Sequence, residues 1–179
     1  MKHYLLLCFL VCMSCKESAK KTEALVEEAP VVETEVVKET SDLKVYNFTE
    51  IEPLLHKTGD KIYVVNFWAT WCAPCVKELP YFEKITEDYA NKDVEVLLVS
   101  LDFSKQYETK LIPFIKTHQL KSEVVALNDP DSNAWIPKVD PEWSGSIPAT
   151  IIYKGNTRKF FEKSFTYEEL QTEINQFLN

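Results

Sequence analysis

Ile62-Tyr63-Val64-Val65-Asn66-Phe67-Trp68-Ala69-Thr70-Trp71-Cys72-Ala73-Pro74-Cys75 runs from an apolar stretch straight into two cysteines with two residues between them. Its first seven residues read as a buried strand. Val76 to Asn91 reads as a helix, so both thiols stand at a helix start. That end carries partial positive charge and unpaired backbone N–H groups, which favour a thiolate at Cys72. The i, i+3 spacing lets Cys75 reach Cys72 and close a disulfide. The chemistry expected of such a pair is exchange, in which Cys72 attacks a partner's disulfide and Cys75 resolves the mixed disulfide. Half a zinc site has the same spacing. However, no second C-x-x-C exists, and His3, His56 and His118 are scattered without ligand spacing, so no metal is expected.

The whole chain sets further limits. Its 179 residues suit one domain with appendages, and 45% apolar content is ample for a core. A net charge of -8 supplies no basic stripe to neutralise phosphates, which excludes nucleic acid as a partner. With 3 glycines against 9 prolines, glycine-rich phosphate loops are not expected, and neither is a cofactor.

Met1-Lys2-His3 is a short basic start, followed by the apolar run Tyr4 to Met13 and then Ser14-Cys15. The run falls short of the roughly 20 residues needed to span a bilayer, so residues 1–14 read as a cleaved signal. A cysteine after a small residue resembles a bacterial lipoprotein signal, with cleavage before Cys15 and lipid on its thiol. The alternative is an ordinary secretory signal with Cys15 incidental. Of five cysteines, Cys8 and Cys12 leave with the signal and Cys15 is acylated, so Cys72 and Cys75 remain. An exported protein with one C-x-x-C and no structural disulfide uses that pair for chemistry. Lys16 to Asp42 is polar and lacks apolar periodicity, so residues 15–42 read as a lipid-anchored disordered tether with a typical reach of about 25–30 Å. The folded domain is expected over residues 43–179.

Leu43 to Tyr46 suits a short strand. Thr49 is a candidate N-cap for a helix with Ile51, Leu54 and Leu55 on one face, ended by Gly59. The strand Lys61 to Trp68 comes next. In the helix that follows the cysteines, Leu79, Phe82, Ile85 and Tyr89 form the inner face, and Pro80 is expected to kink it. Val94 to Leu101 reads as a strand covered on both faces. Ser104 is the expected cap of a helix running to about Gln119, with Tyr107, Leu111, Phe114 and Ile115 inward. Val124 to Leu127 is a short strand, and Asn128 to Pro141 is turn-rich. Ala149 to Tyr153 and Arg158 to Phe165 suit a hairpin about Lys154-Gly155-Asn156. Thr166 with Glu169 makes a capping box for a last helix that turns Leu170, Ile174 and Phe177 inward. This order predicts an α/β fold with a central mixed β-sheet flanked by helices.

Asn66 to Cys75, together with Ser146-Ile147-Pro148-Ala149-Thr150, resembles the thioredoxin superfamily, and within it the exported, membrane-tethered disulfide reductases of the TlpA/ResA type. The resemblance covers roughly Leu43 to Asn179. It implies a thioredoxin-like fold and dithiol–disulfide exchange. Pro148 corresponds to the family's cis-proline, facing the cysteines, where the bare sequence would also allow an ordinary turn proline. The backbone of Ile147 would then pair with an extended substrate. Glu78 matches an acidic residue three positions after the second cysteine. As one alternative it takes a proton from Cys75 during resolution; as the other it is a solvated helix glutamate. Asn66 stands where cytosolic thioredoxins carry a buried aspartate and cannot shuttle a proton. Trp71, Ala73 and Pro74 are the expected substrate contacts around the nucleophile. Trp135 and Trp143, before the proline loop, either fill a local core or form a docking surface. One departure is that a helix-like Thr49 to Lys57 replaces the subfamily's N-terminal hairpin.

The expected protein is therefore a monomeric disulfide reductase of the bacterial cell envelope, in the periplasm and lipid-anchored to a membrane. Cys72, Cys75, Glu78 and Pro148 are its catalytic residues. Its partners are exported protein disulfides and a membrane thiol electron donor. Ala73-Pro74 offers neither charge nor a side-chain donor to the thiolate, which favours a reductant. Rival readings are a disulfide oxidase or isomerase, and a copper-delivery module with His118 as third ligand. A peroxidase-like relative would need a Thr-x-x-Cys pattern, whereas Thr70 lies two residues before Cys72.

Overall fold

Strand β2 (Ile62–Trp68), whose seven residues are all buried, lies inside a six-stranded sheet. The computed structural model describes residues 43–178. The signal, tether and lipidation readings at residues 1–42 lie outside them. Around β2 the strands are β1 (Lys44–Tyr46), β3 (Val94–Ser100), β4 (Glu123–Leu127), β5 (Ala149–Lys154) and β6 (Thr157–Phe161). Their spatial order is β1-β4-β3-β2-β5-β6. β2, β3, β4 and β1 run parallel, and β5 and β6 are antiparallel additions on the other side of β2. The sheet is mixed, and the α/β class expected from the sequence is the one observed.

Alternation along β2 divides the interior into two cores. Ile62, Val64 and Trp68 join Leu79, Phe82 and Ile85 of helix α2 (Ala73–Asp88) and Leu170 and Ile174 of helix α5 (Tyr167–Asn175). Tyr63, Val65 and Phe67 point the other way, onto Phe48 and Ile51 of α1 (Phe48–Ile51) and Trp135 of α4 (Ser132–Val139). The remaining helix, α3 (Ile112–His118), packs Phe114 and Ile115 against the first core.

Local signals placed most elements but several ends moved. α1 is capped by Asn47, not Thr49: Asn47 accepts from the Glu50 N–H, and Glu50 reaches back to the Asn47 N–H. It gives way after Ile51 to a 3-10 turn, Glu52–Leu55, well before Gly59. α2 starts three residues earlier than expected because Cys72 itself is the N-cap. Ser104 caps nothing; a 3-10 turn (Ser104–Gln106) and a π turn (Tyr107–Leu111) precede α3. Pro113 has no N–H to offer the Thr109 carbonyl, so a regular α ladder cannot pass this point.

The stretch read as turn-rich contains α4, whose N-cap Asp131 accepts from the Ala134 N–H. Pro130, Pro137 and Pro141 disguised it. β6 ends at Phe161 and not Phe165, because the Phe165 N–H is bound elsewhere, to Glu78. The capping box at Thr166 and Glu169 is present as expected. Trp135 and Trp143 are both buried, with ring centroids 5.7 Å apart, and Trp143 lies 4.8 Å from Phe67. Both fill a core and neither stands out as an exposed docking surface, although Trp135 keeps an edge at a surface cleft.

Candidate redox site

The parallel strands β2 and β3 end on the same side of the sheet, and the loops leaving them build one half of the site. After Trp68 the chain turns through Ala69–Trp71, and the Cys72 N–H bonds back to the Ala69 carbonyl at 3.1 Å. Cys72 then caps α2 and is joined to Cys75 in a disulfide, with Cα atoms 5.3 Å apart. The Cys75 N–H points at the Cys72 sulfur at 3.3 Å, so the helix end supplies a donor to the first sulfur. Cys72 is 6% exposed and Cys75 fully buried. An incoming sulfur therefore meets Cys72 first.

Asp102, just beyond β3, holds this loop in place. Its carboxylate accepts from the Thr70 N–H (2.9 Å), the Thr70 hydroxyl (2.5 Å) and the Ser100 hydroxyl (2.9 Å). The residue is buried. Three donors on one buried carboxylate fix the turn that carries Trp71 and Cys72.

The second half of the site is the loop before β5. The Ile147–Pro148 peptide bond is cis, and the Ile147 carbonyl oxygen lies 3.7 Å from the Cys72 sulfur. Residues 75 positions apart in the chain are thus brought together. Glu162 ties this loop down by accepting from the Ser144 N–H (3.1 Å), the Ser146 N–H (3.0 Å) and the Ser144 hydroxyl. The Ser144 hydroxyl holds its carboxyl below the usual glutamate range. Gly145, at φ +92°, sits in the turn; a Cβ there would meet Ile136 Cδ1 at 3.0 Å.

Beneath the disulfide, one helical turn along α2, lies Glu78, which is 1% exposed. The solvated reading of this residue is therefore excluded. Its carboxylate accepts from the Asn66 side-chain amide at 3.1 Å and from the Phe165 N–H at 2.7 Å. Burial pushes its pKa up to about 7, against the pull of those two donors. Asn66 also reaches the Thr150 hydroxyl oxygen at 3.0 Å, and its own carbonyl has no hydrogen-bond partner.

Trp71, Ala73 and Pro74 are exposed around the disulfide. His118 stacks on Phe114, with centroids 3.8 Å apart, and its Nδ1 lies 3.0 Å from the Phe114 carbonyl. Among the described residues no cluster of three His, Cys, Asp or Glu side chains is arranged to hold a metal. The sequence reading missed Asp102 and Glu162. An aspartate closing a buried strand was a usable signal for the first, since loops at strand C-termini build sites in parallel sheets. Glu162 left no local trace.

A C-x-x-C disulfide capping the helix after the central strand, faced by a cis-proline loop across a mixed sheet, defines a thioredoxin-fold thiol–disulfide oxidoreductase. The chain belongs to the AhpC/TSA family, whose model matches residues 36–156. It is 28% identical over 151 residues to the thiol-disulfide oxidoreductase ResA of Oceanobacillus iheyensis, covering 83% of this chain and 70% of that protein. Other ResA and thioredoxin-like relatives from Bacillus match over 33% to 35% of their own length. Among solved structures, the thiol:disulfide interchange protein of Chlorobium tepidum superposes with a TM-score of 0.57 at 21% identity, over 72% of this chain and 85% of that one. A secreted thiol-disulfide isomerase of Corynebacterium glutamicum gives 0.55 at 21%, over 66% and 71%. These structures share the fold.

Proposed function

We propose that this protein is an exported, lipid-anchored reductant of disulfides in other exported polypeptides. The observation that carries the reading is the Cys72 sulfur, set at a helix N-terminus and 3.7 Å from the carbonyl oxygen of Ile147. A substrate strand laid along Ile147 and Pro148 brings its own disulfide onto that sulfur.

In the reduced protein the Cys72 thiolate attacks one substrate sulfur. A mixed disulfide forms, and the other substrate sulfur leaves as a thiolate that takes up a proton. Cys75 then gives its proton to Glu78 and attacks Cys72. The Cys72–Cys75 disulfide closes and the second substrate thiolate departs. Two electrons pass from the pair to the substrate. A pKa of about 7 leaves Glu78 near half ionised at neutral pH, able both to accept and to release that proton. Pro148 and Ile147 position the substrate, and Trp71, Ala73 and Pro74 contact it. A membrane dithiol carrier restores the reduced pair, because an exported domain has no access to cytosolic nicotinamide.

Export and anchoring rest on residues 1–14 as a signal and Cys15 as the lipid-bearing residue, with 15–42 as tether to the domain at 43–179. The secreted character of the Corynebacterium relative supports the same compartment. The working unit is a monomer.

The direction of electron flow is tested by equilibrating the Cys72–Cys75 couple of the full chain against defined thiol buffers. A reductant is expected near thioredoxin's potential, roughly -270 mV. A value near about -120 mV would make the protein a donor of disulfides instead.

A further inference from the structure

Four large apolar side chains are exposed among the described residues: Val45, Trp71, Phe103 and Leu178. Two of these stand together beside the disulfide. Trp71 is 52% exposed and Phe103 64%, and their rings stack with centroids 6.2 Å apart at 21°. Trp71 follows Thr70 in the chain, and Phe103 follows Asp102, the two residues joined by the buried carboxylate bonds at 2.5 and 2.9 Å. The clasp that orients Cys72 therefore also fixes an aromatic ledge next to it. Keeping two large rings in water has no internal rationale, since each could gain about 1.5–3 kcal/mol by burial.

Behind Phe103 a cleft of about 710 Å³ opens, walled by Leu101, Phe103, Leu127 and Trp135, with Ser104 and Asn128 among its polar lining. It has room for more than one residue of a bound chain, and Asp102, Lys105 and Asp129 lie among its lining beside the apolar walls. Exchange at Cys72 forces the residues flanking a substrate cysteine onto the surface around that sulfur. One side of that surface is the Ile147 carbonyl, which reads backbone. The other is this ledge and cleft, whose two exposed rings offer apolar contact to side chains.

We propose that Trp71 and Phe103, with the cleft behind them, form a subsite for an aromatic or large aliphatic side chain within a few residues of the target cysteine. The inference rests on the proposed exchange at Cys72 and adds its substrate class. Folded proteins bury such side chains. The preferred substrates are therefore extended or unfolded polypeptides that carry a disulfide beside an apolar residue, not finished folded proteins. The two sides divide the work: Ile147 aligns any extended chain, and the ledge selects among them.

The test uses the full chain with the pair reduced and three disulfides. These are hydroxyethyl disulfide and two otherwise identical disulfide-linked peptides with Phe or Ser two residues from the cysteine. Oxidation of Cys72–Cys75 is followed by alkylation and mass measurement. The wild type is expected to react about tenfold faster with the Phe peptide. Phe103→Ser brings the two peptide rates to within about twofold, Phe103→Tyr keeps most of the preference, and Val45→Ser, on the distant edge strand, keeps all of it. Equal rates for the two peptides in the wild type would overturn the subsite, as would a preference that survives Phe103→Ser. Failure of the reduced wild type to react even with hydroxyethyl disulfide is a different result: it removes exchange at Cys72, and the subsite with it.

Discussion

The two loops that face each other across the disulfide are each held by one carboxylate, but in unlike settings. Asp102 is buried and holds the Thr70–Cys72 turn through two bonds from Thr70, with a third from Ser100 at the end of β3. Glu162 binds the Ser144–Pro148 loop at the protein's edge, where water competes for the same groups. A hydrogen bond to a buried charge is expensive to lose, because the orphaned donors have no water to turn to. The same bond at the surface is nearly isoenergetic with hydration. The loop that carries Cys72 is thus part of the fold's stability, and the cis-proline loop proposed to align substrate is a separable attachment. A redox protein that must hold its reactive sulfur still, while admitting varied chains opposite it, gains from that asymmetry.

Removing the buried carboxylate breaks the comparison most directly. Asp102→Ala leaves the Thr70 N–H and hydroxyl without their acceptor and is expected to cost about 4 kcal/mol in urea unfolding of the oxidised protein. Asp102→Asn, which keeps an acceptor, should recover about half of that loss. If the alanine variant unfolds at the wild-type urea concentration, the clasp is not the anchor described here.

Glu78 links the two halves, since its partners Asn66 and Phe165 lie on β2 and just past Glu162. Its folded-state pKa is raised from 4.5 to about 7, so the folded protein holds this proton more tightly than the unfolded chain does. The resulting stabilisation is complete below about pH 4.5 and is lost as pH rises towards 7. The difference in unfolding free energy between wild type and Glu78→Gln should therefore shift by up to about 3 kcal/mol against the wild type between pH 4.5 and pH 8. A difference independent of pH would show that burial does not raise this carboxyl.

The smallest effect on stability is expected at the edge loop. Glu162→Gln should change unfolding free energy by less than about 1 kcal/mol. It should nonetheless raise KM for a peptide disulfide about threefold with kcat little changed, since the loop that aligns the substrate is loosened. A stability loss as large as that of Asp102→Ala would erase the distinction between the two loops.

Much of this site was legible because its signals are local. Cys72 and Cys75 sit three residues apart after an apolar run, and Thr166 and Glu169 cap α5 within one turn, whereas Pro148 was placed opposite the cysteines only by the family resemblance. The elements that escaped notice depend on distant partners or on misleading residues. Asp102 meets Thr70 across 32 residues, and Glu162 meets Ser144 across 18. α4 was hidden by Pro130 and Pro141 on either side and by Pro137 within it, which removes one backbone donor from this short helix. Phe103 carries no local signal, and only the fold stacks it on Trp71.

Sequence alone determined the chemistry: the cysteine spacing, the strand before it, and helical periodicity that sets Glu78 one turn below Cys75. Only the tertiary structure decided what kind of carboxylate Glu78 is. The helix repeat reports which side a residue faces, not what covers it. The cover comes from Asn66 and Phe165, which are 12 and 87 residues away and are brought there by the packing of β2 and the β6–α5 connection against α2. Desolvation, which sets the carboxyl near neutrality, is a property of that assembled environment and of no short stretch of the chain.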